Sequence, residues 1–321
     1  MKSLKYLSVS LLIIIGTIPM MGQVDNSLIR KCGSMEYWRV QVIEESGIIG
    51  GNDKVIYRLS QGDTIVGNEV YKPGDEDIFT TSNIMAKISG IVKASNSVSP
   101  ELRGEGDYCA KLMNVMEKVR VLGMINVEAM AQGSIITAYL QEPVKDTKGP
   151  YSKMNTGIPY TQRPHALQYD YKAVVGFPMT HATGFSATKK LQEKDYPCIF
   201  VLLQHRVEDS KGNITAYRVG TAYKKFTVNV LEWINGEQLE IFYGDATTLE
   251  GYCDGMALRC GDGCYYGYNS KGKIVPVEEI GWGDETLEPT HAIIWISSSS
   301  GPSYCAGDGN VLWIDNVMFV E

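Results

Sequence analysis

Arg163, His165, Asp170 and Lys172 fall in one short stretch, interleaved with Tyr169 and Tyr171. Those side chains are the ones that recognise a polyhydroxylated ring. Charged and planar polar groups meet the hydroxyls, and an aromatic face meets the C–H surface. From Ala166 to Val175 apolar and polar residues alternate, which predicts a strand. Leu167, Tyr169, Tyr171 and Ala173 then face one way, and Gln168, Asp170 and Lys172 the other. The plainer reading of the same stretch is an exposed Asp170–Lys172 ion pair on a solvated strand. Glycoside hydrolysis is the second chemistry to weigh. It needs two carboxyl groups about 5–5.5 Å apart for retention or about 6.5–9.5 Å for inversion. Glu128, Asp170, Glu232 and Glu240 lie in or beside predicted strands. Sequence alone pairs none of them, and the catalytic residues, if there are any, stay unassigned.

Asp315 stands apart, an acid inside the apolar alternation of the last strand. Strict period two puts Val311, Trp313, Asp315, Val317 and Phe319 on one face and Leu312, Ile314, Asn316, Met318 and Val320 on the other. Apolar residues on both faces predict a central strand covered on both sides. A carboxylate there is costly unless satisfied. The favoured expectation is a buried acid that caps backbone amides or pairs with an arginine.

The elements that must position these residues read as strands. Alternating runs cover Tyr37 to Glu44, Val55 to Ser60, Ile84 to Ala94 with Gly90 as a bulge, and Gly133 to Gln141. Further runs cover Cys198 to Arg206, Thr215 to Tyr223, Phe226 to Trp233 and Gln238 to Tyr243. Asn235-Gly236 between the last two is a hairpin signal. Tyr108 to Leu122 fits helical and strand spacing and is read mostly as strand. Gly244 to Pro289 is glycine-rich and irregular, a long insertion between core strands. Many short strands with frequent turns predict an all-β protein, a large jelly-roll sandwich.

The N-terminus carries a basic start (Lys2, Lys5), an apolar run from Tyr6 to Ile18 and a small residue at Gly22 before Gln23-Val24-Asp25. That is the pattern of a cleaved signal peptide over residues 1–22. It leaves one domain from 23 to 321, exported to the periplasm or cell surface, with no membrane span after cleavage. A net charge of −7 and the lack of a basic patch argue against nucleic acid. The seven cysteines are an odd number. One local disulfide is expected among Cys253, Cys260 and Cys264, whose spacing fits a zinc site poorly. Nucleophile-elbow, zinc-protease, phosphate-loop and dinucleotide motifs are missing.

Several segments together carry a family resemblance. They are Ser82 to Ala86 with Gly90-Ile91, Arg103-Gly104 to Ala110-Lys111-Leu112, Gly157 to Pro164 leading into Leu167 to Lys172, and a tail of Pro289 to His291, Ser297 to Ser300 and Leu312 to Val317. Through them the chain resembles the putative carbohydrate metabolism domain family of Bacteroidetes exported proteins. Ala173 after Lys172 departs from that family's pattern, and the segment Cys253 to Cys264 looks like an addition to it. The resemblance implies a jelly roll similar to carbohydrate-binding modules and galactose-binding-like domains, with a polysaccharide or oligosaccharide partner. It also implies a structural calcium, to which Asp315 on the last strand and Glu36 near the first would contribute oxygens. The expectation that follows is an exported, non-catalytic glycan-binding jelly roll. The alternatives are a glycoside hydrolase that works through paired carboxylates and a structural surface protein without a sugar site.

Overall fold

The computed structural model describes residues 22–121, 125–146, 148–184 and 186–321. The leader expected over residues 1–22 lies outside that range except for Gly22. The fold is an all-β sandwich. One sheet has five strands, in the order Val230–Glu240, Ala166–Val174, Val311–Val320, Asp107–Met113, Val98–Gly104. The other runs Met154–Thr156, Ser134–Leu140, His291–Ser297, Cys198–Glu208, Ile214–Lys225, Ile274–Trp282, Tyr265–Tyr268, and three short strands bring it to ten. The remaining described strands form two three-stranded sheets and two two-stranded hairpins.

The core lies between the two sheets. Leu112, Leu167, Tyr169, Ala173, Leu312, Ile314, Val317 and Phe319 meet Ile135, Ile199, Val201, Leu203, Ala292, Ile294 and Ile296. Each fully buried branched side chain contributes about 1.5–3 kcal/mol relative to exposure. Alternation thus does its work in the long central strands, where one face is committed to this core.

One end is plugged by a helix, Asn26–Gly33, that the strand-based reading did not anticipate. Asp25 caps it by accepting from the Leu28 amide, and Arg30 and Lys31 sit in its last turn, both favourable to the helix dipole. Ile29 is fully buried in the main core. Gly33 lies so close to the closing strand that a Cβ would be 1.9 Å from the Val317 carbonyl oxygen. Only glycine allows that approach.

Five local expectations need correcting. Ile84 to Ala94 is not one bulged strand. It is a hairpin, Ile84–Ile88 against Ile91–Ser95, turned by Ser89 and Gly90, both at positive φ (51° and 82°), as the tightest hairpin turns require. Asn235-Gly236 is not a hairpin turn but sits inside the continuous strand Val230–Glu240. There the register to Ala166–Val174 slips, and Gly236 has φ 66°. The closing strand also changes phase. Gln168 pairs with Met318 but Asp170 with Asp315, so an extra residue is accommodated at Asn316, which has φ 51°. This bulge makes Leu312, Ile314, Val317 and Phe319 the core face and leaves Trp313 and Asp315 on the outer one. The segment 244–289 is less irregular than its composition predicts, because it supplies the strands Tyr265–Tyr268 and Ile274–Trp282. Ile274–Trp282 runs parallel to Ile214–Lys225. Cys253, Cys260 and Cys264 are all free thiols. Cys264 is buried, its Sγ directed at the Arg259 carbonyl, while Cys260 is exposed.

Candidate functional site

The outer face of the five-stranded sheet gathers charged and aromatic side chains. Across the strands, Lys172 stands opposite Trp313, Trp313 opposite Lys111, and Lys111 opposite Ser99. Trp233 approaches Lys172 from the neighbouring strand. The ammonium of Lys172 is 5.2 Å from the Trp233 ring centre and 4.8 Å from that of Trp313. From the other side of the row the Lys111 ammonium lies 5.4 Å from the Trp313 ring centre, and the Arg103 guanidinium lies 4.2 Å over Trp233. Two strand spacings separate the tryptophans, roughly 10 Å. Glu101 ties the row together. It accepts from Trp313 Nε1 at 2.7 Å and pairs with Lys111 at 2.7 Å.

One step along the strands lies an acid–arginine node. Arg103 Nη1 donates to Asp170 Oδ2 at 2.7 Å and to Asp315 Oδ2 at 2.5 Å, while Nη2 donates to Asn235 Oδ1 at 2.5 Å. Asp170 Oδ1 accepts from the Gly236 amide at 2.6 Å, and its Oδ2 also accepts from Asn316 Nδ2 at 2.9 Å. Asp315 Oδ1 accepts from the amide of Asn316 at 2.7 Å. The two bulges therefore have a common purpose. On the strands either side of Asp170 they turn an amide, an Asn amide group and an Asn carbonyl oxygen towards one point. Bulges recur where a side chain or amide must be re-aimed.

The carboxyl groups of the node respond in opposite directions. Burial pushes Asp315 up to about 6, in spite of Arg103. Asp170 is also penalised by burial, but the bonds from Asn316, Gly236 and Arg103 outweigh it and hold it below the ordinary carboxylate value. Opposed shifts in neighbouring acids are the mark of acid–base pairs. Access argues against that role here. The Asp315 side chain has no exposed surface, that of Asp170 is 10 % exposed, and both share one guanidinium nitrogen. The node is a brace for the tryptophan row.

The residues expected to form one sugar site fall in separate places. Lys172 is in the row and Asp170 in the brace. Tyr169 and Tyr171 are buried in the main core, where both pack against Phe226. They cannot meet a ligand on the outer face, because alternation sends them to the other side of their own strand. Arg163 lies at the far end, 4.2 Å over the Tyr243 ring, and donates to the Leu287 and Glu285 carbonyls. His165 is exposed and contributes its backbone, whose amide donates to Val320 and whose carbonyl accepts from Ile241. The candidate hydrolytic acids also scatter. Glu232 and Glu240 are exposed on the edge strand, and Glu128 pairs with Lys118 at 3.3 Å on a separate hairpin.

Glu36 and Asp315 do not fit a calcium site. Both Asp315 oxygens are engaged, and a cation there would adjoin the Arg103 guanidinium. Glu36 accepts from the Tyr108 amide at 3.0 Å, and its pKa is raised, first by burial and then by Asp107 and Asp315. Among the described residues no group of three or more His, Cys, Asp or Glu side chains is placed to hold a metal.

Trp233, Trp313, Arg103, Glu101, Lys111, Asn235 and Asn316 were not singled out as binding residues from sequence. The available signal was Trp313 two residues from Asp315 on the same face. The remaining partners come from strands far apart in the chain.

No family model and no curated protein matches the chain. Among solved structures, a putative glycoside hydrolase from Bacteroides vulgatus aligns with 88% of this chain and 85% of its own, at 16% identity and a TM-score of 0.43. A putative glycoside hydrolase from Bacteroides thetaiotaomicron aligns with 84% of this chain and 74% of its own, at 14% identity and a TM-score of 0.42. Likenesses this distant do not transfer a role to any residue. Among the described residues no helix is long and apolar enough to cross a membrane.

Proposed function

We propose that this is a carbohydrate-binding β-sandwich that takes an oligosaccharide or polysaccharide on the outer face of its five-stranded sheet and does not cleave it. The observation that supports this reading best is the row Trp233–Lys172–Trp313–Lys111. It sets half-exposed aromatic rings beside N–H donors on the outer sheet face, the combination that a sugar's C–H surface and hydroxyls need. The locked, buried state of Asp170 and Asp315 supports binding over hydrolysis, since neither can approach a glycosidic bond while Arg103 holds both. The resemblance to a carbohydrate-linked exported family points the same way, and export to the periplasm or cell surface belongs to this proposal.

The test is a glycan array on the chain without its leader, then calorimetric titration of any hit against Trp233→Ala and Trp313→Ala. Each variant should lose roughly tenfold or more in affinity, about 1.4 kcal/mol or more, and incubation should release no reducing ends. Absence of any glycan ligand, or affinities untouched by both substitutions, would sink the proposal. Reducing ends lost on Asp170→Asn substitution would move it to hydrolysis.

A further inference from the structure

We infer that the sugar taken by this face is acidic, with a carboxylate or sulfate group that meets the Lys172 ammonium. This deepens the sugar-binding reading and rests on it.

The argument is an inventory of cations. Arg103 spends its guanidinium on Asp170, Asp315 and Asn235. Lys111 is paired with Glu101. The Lys172 ammonium alone among the three has no hydrogen bond or ion pair among the described residues, although it carries three donors. Its neighbours are two indole rings. They attract a cation through their π faces but accept no conventional hydrogen bond from it. Glu101 is close enough to feel its charge, yet its oxygens already serve Lys111 and Trp313. An anion arriving at Lys172 therefore breaks no existing pair. It gains a charge-assisted hydrogen bond between aromatic walls that keep water away, where such a bond is strongest.

A neutral sugar gains less. It would have to satisfy the ammonium with a hydroxyl, a weaker acceptor than a carboxylate or sulfate oxygen. The chain's overall charge of −7 gives no long-range help to a polyanion, so the preference must come from this local contact. It should weaken with salt, as a partly exposed pair does.

The experiment titrates the full chain without its leader against three oligosaccharides of equal length: an oligogalacturonate, a sulfated galactan fragment and a neutral galactan fragment. At least one charged ligand should bind roughly tenfold tighter than the neutral one. Which one it is distinguishes carboxylate from sulfate. In Lys172→Gln the ratio should fall to about one, and Lys172→Arg should keep most of it. Thermal melts confirm that both variants are folded. A preference that survives in Lys172→Gln overturns the inference. Equal binding of all three ligands, still sensitive to Trp313→Ala, overturns acid selectivity and leaves sugar binding standing. No binding to any glycan defeats both.

Discussion

Each sheet of the sandwich has an outer face built from the same materials, and the two differ in how their charged groups are completed. On the ten-stranded sheet Phe200, Trp295 and Tyr265 stack at 5.7 and 5.5 Å, with Tyr151 edge-on at 5.9 Å from Trp295. Beside them Arg218 pairs with Glu279, both side chains with no exposed surface. The segment 244–289 contributes Tyr265 and Glu279 to this array, and its Met256 and Ala257 carbonyls accept from Arg218, while Trp295 and Tyr151 stay half-buried. On the five-stranded sheet the tryptophans, Arg103, Lys111 and Lys172 are half-buried and the two acids are buried beneath Arg103. Composition therefore does not distinguish a second core from a binding face. Whether another segment of the chain completes the polar groups decides it. On the face of the ten-stranded sheet the arginine is satisfied from within. On the face of the five-stranded sheet the Lys172 ammonium has no hydrogen bond or ion pair among the described residues, which is where the proposal places a ligand.

The largest expected effect is on the ten-stranded sheet. Glu279 accepts from Arg218 Nε at 2.7 Å, from Gln204 Nε2 at 2.6 Å and from the Arg259 amide at 2.5 Å. Burial pushes its carboxyl up, but Arg218 more than offsets this and the net pKa is lowered. Glu279→Ala leaves a buried guanidinium without its counter-charge, which costs about 3–5 kcal/mol. Denaturant unfolding should show that loss, while glycan affinity of the folded fraction stays unchanged. A loss below about 1 kcal/mol would mean that water reaches Arg218 and that this face is not sealed.

A smaller effect, with a definite sign, comes from Asp315. Its folded pKa of about 6 lies above its ordinary 3.8. Between about pH 4 and pH 6 the folded protein keeps a proton that the unfolded chain has released, so stability falls as pH rises through that window. Asp170, held low, works in the opposite sense. Its contribution is present above about pH 4 and is lost on acidification. Asp315→Asn removes only the first slope. Whatever its offset at pH 4, the variant should gain on the wild type by on the order of 2 kcal/mol by pH 7. Glu36 is raised partly by the Asp315 charge, so it relaxes downward in the variant and adds to the same gain. A pH-independent offset would show that Asp315 is charged throughout and that the brace is fully ionic.

The strands that carry both faces were legible because period two is a strong signal where one side is committed to a core. Ala166–Val174 and Val311–Val320 lie where alternation puts them, and Asp315 meets an arginine as expected of a buried acid. The identity of that arginine was not legible. Arg103 is 67 positions from Asp170 and 212 from Asp315, and nothing local in the sequence joins them. Phase was the other loss. Asn235-Gly236 reads as a turn and Asn316 as one more strand residue, because the tolerance of Asn and Gly for positive φ serves hairpins and bulges alike. The role of segment 244–289 was hidden for a related reason. Its glycines mask two strands that gain their partners only in the folded sheet.

The smallest effect tests whether the bulges shape the face of the five-stranded sheet or merely decorate it. Gly236 has φ 66° and nothing within 4 Å of where a Cβ would stand. Gly236→Ala therefore meets no clash and pays only for left-handed backbone, about 1–2 kcal/mol. If the bulge holds, the Gly236 amide still reaches Asp170, Asn235 still takes Arg103, and glycan affinity moves by less than about threefold, well under 1.4 kcal/mol. If the alanine instead drives the strand back to regular pairing, register beyond it slips by one residue and Trp233 turns to the other face. Affinity would then fall as far as in Trp233→Ala, although no ligand-facing side chain had been changed. Stability and affinity measured on the same variant separate these outcomes. On the ten-stranded sheet Gly267 is the opposite case: its backbone is not left-handed, and an added Cβ would stand 3.2 Å from Arg206 and 3.3 Å from Val277.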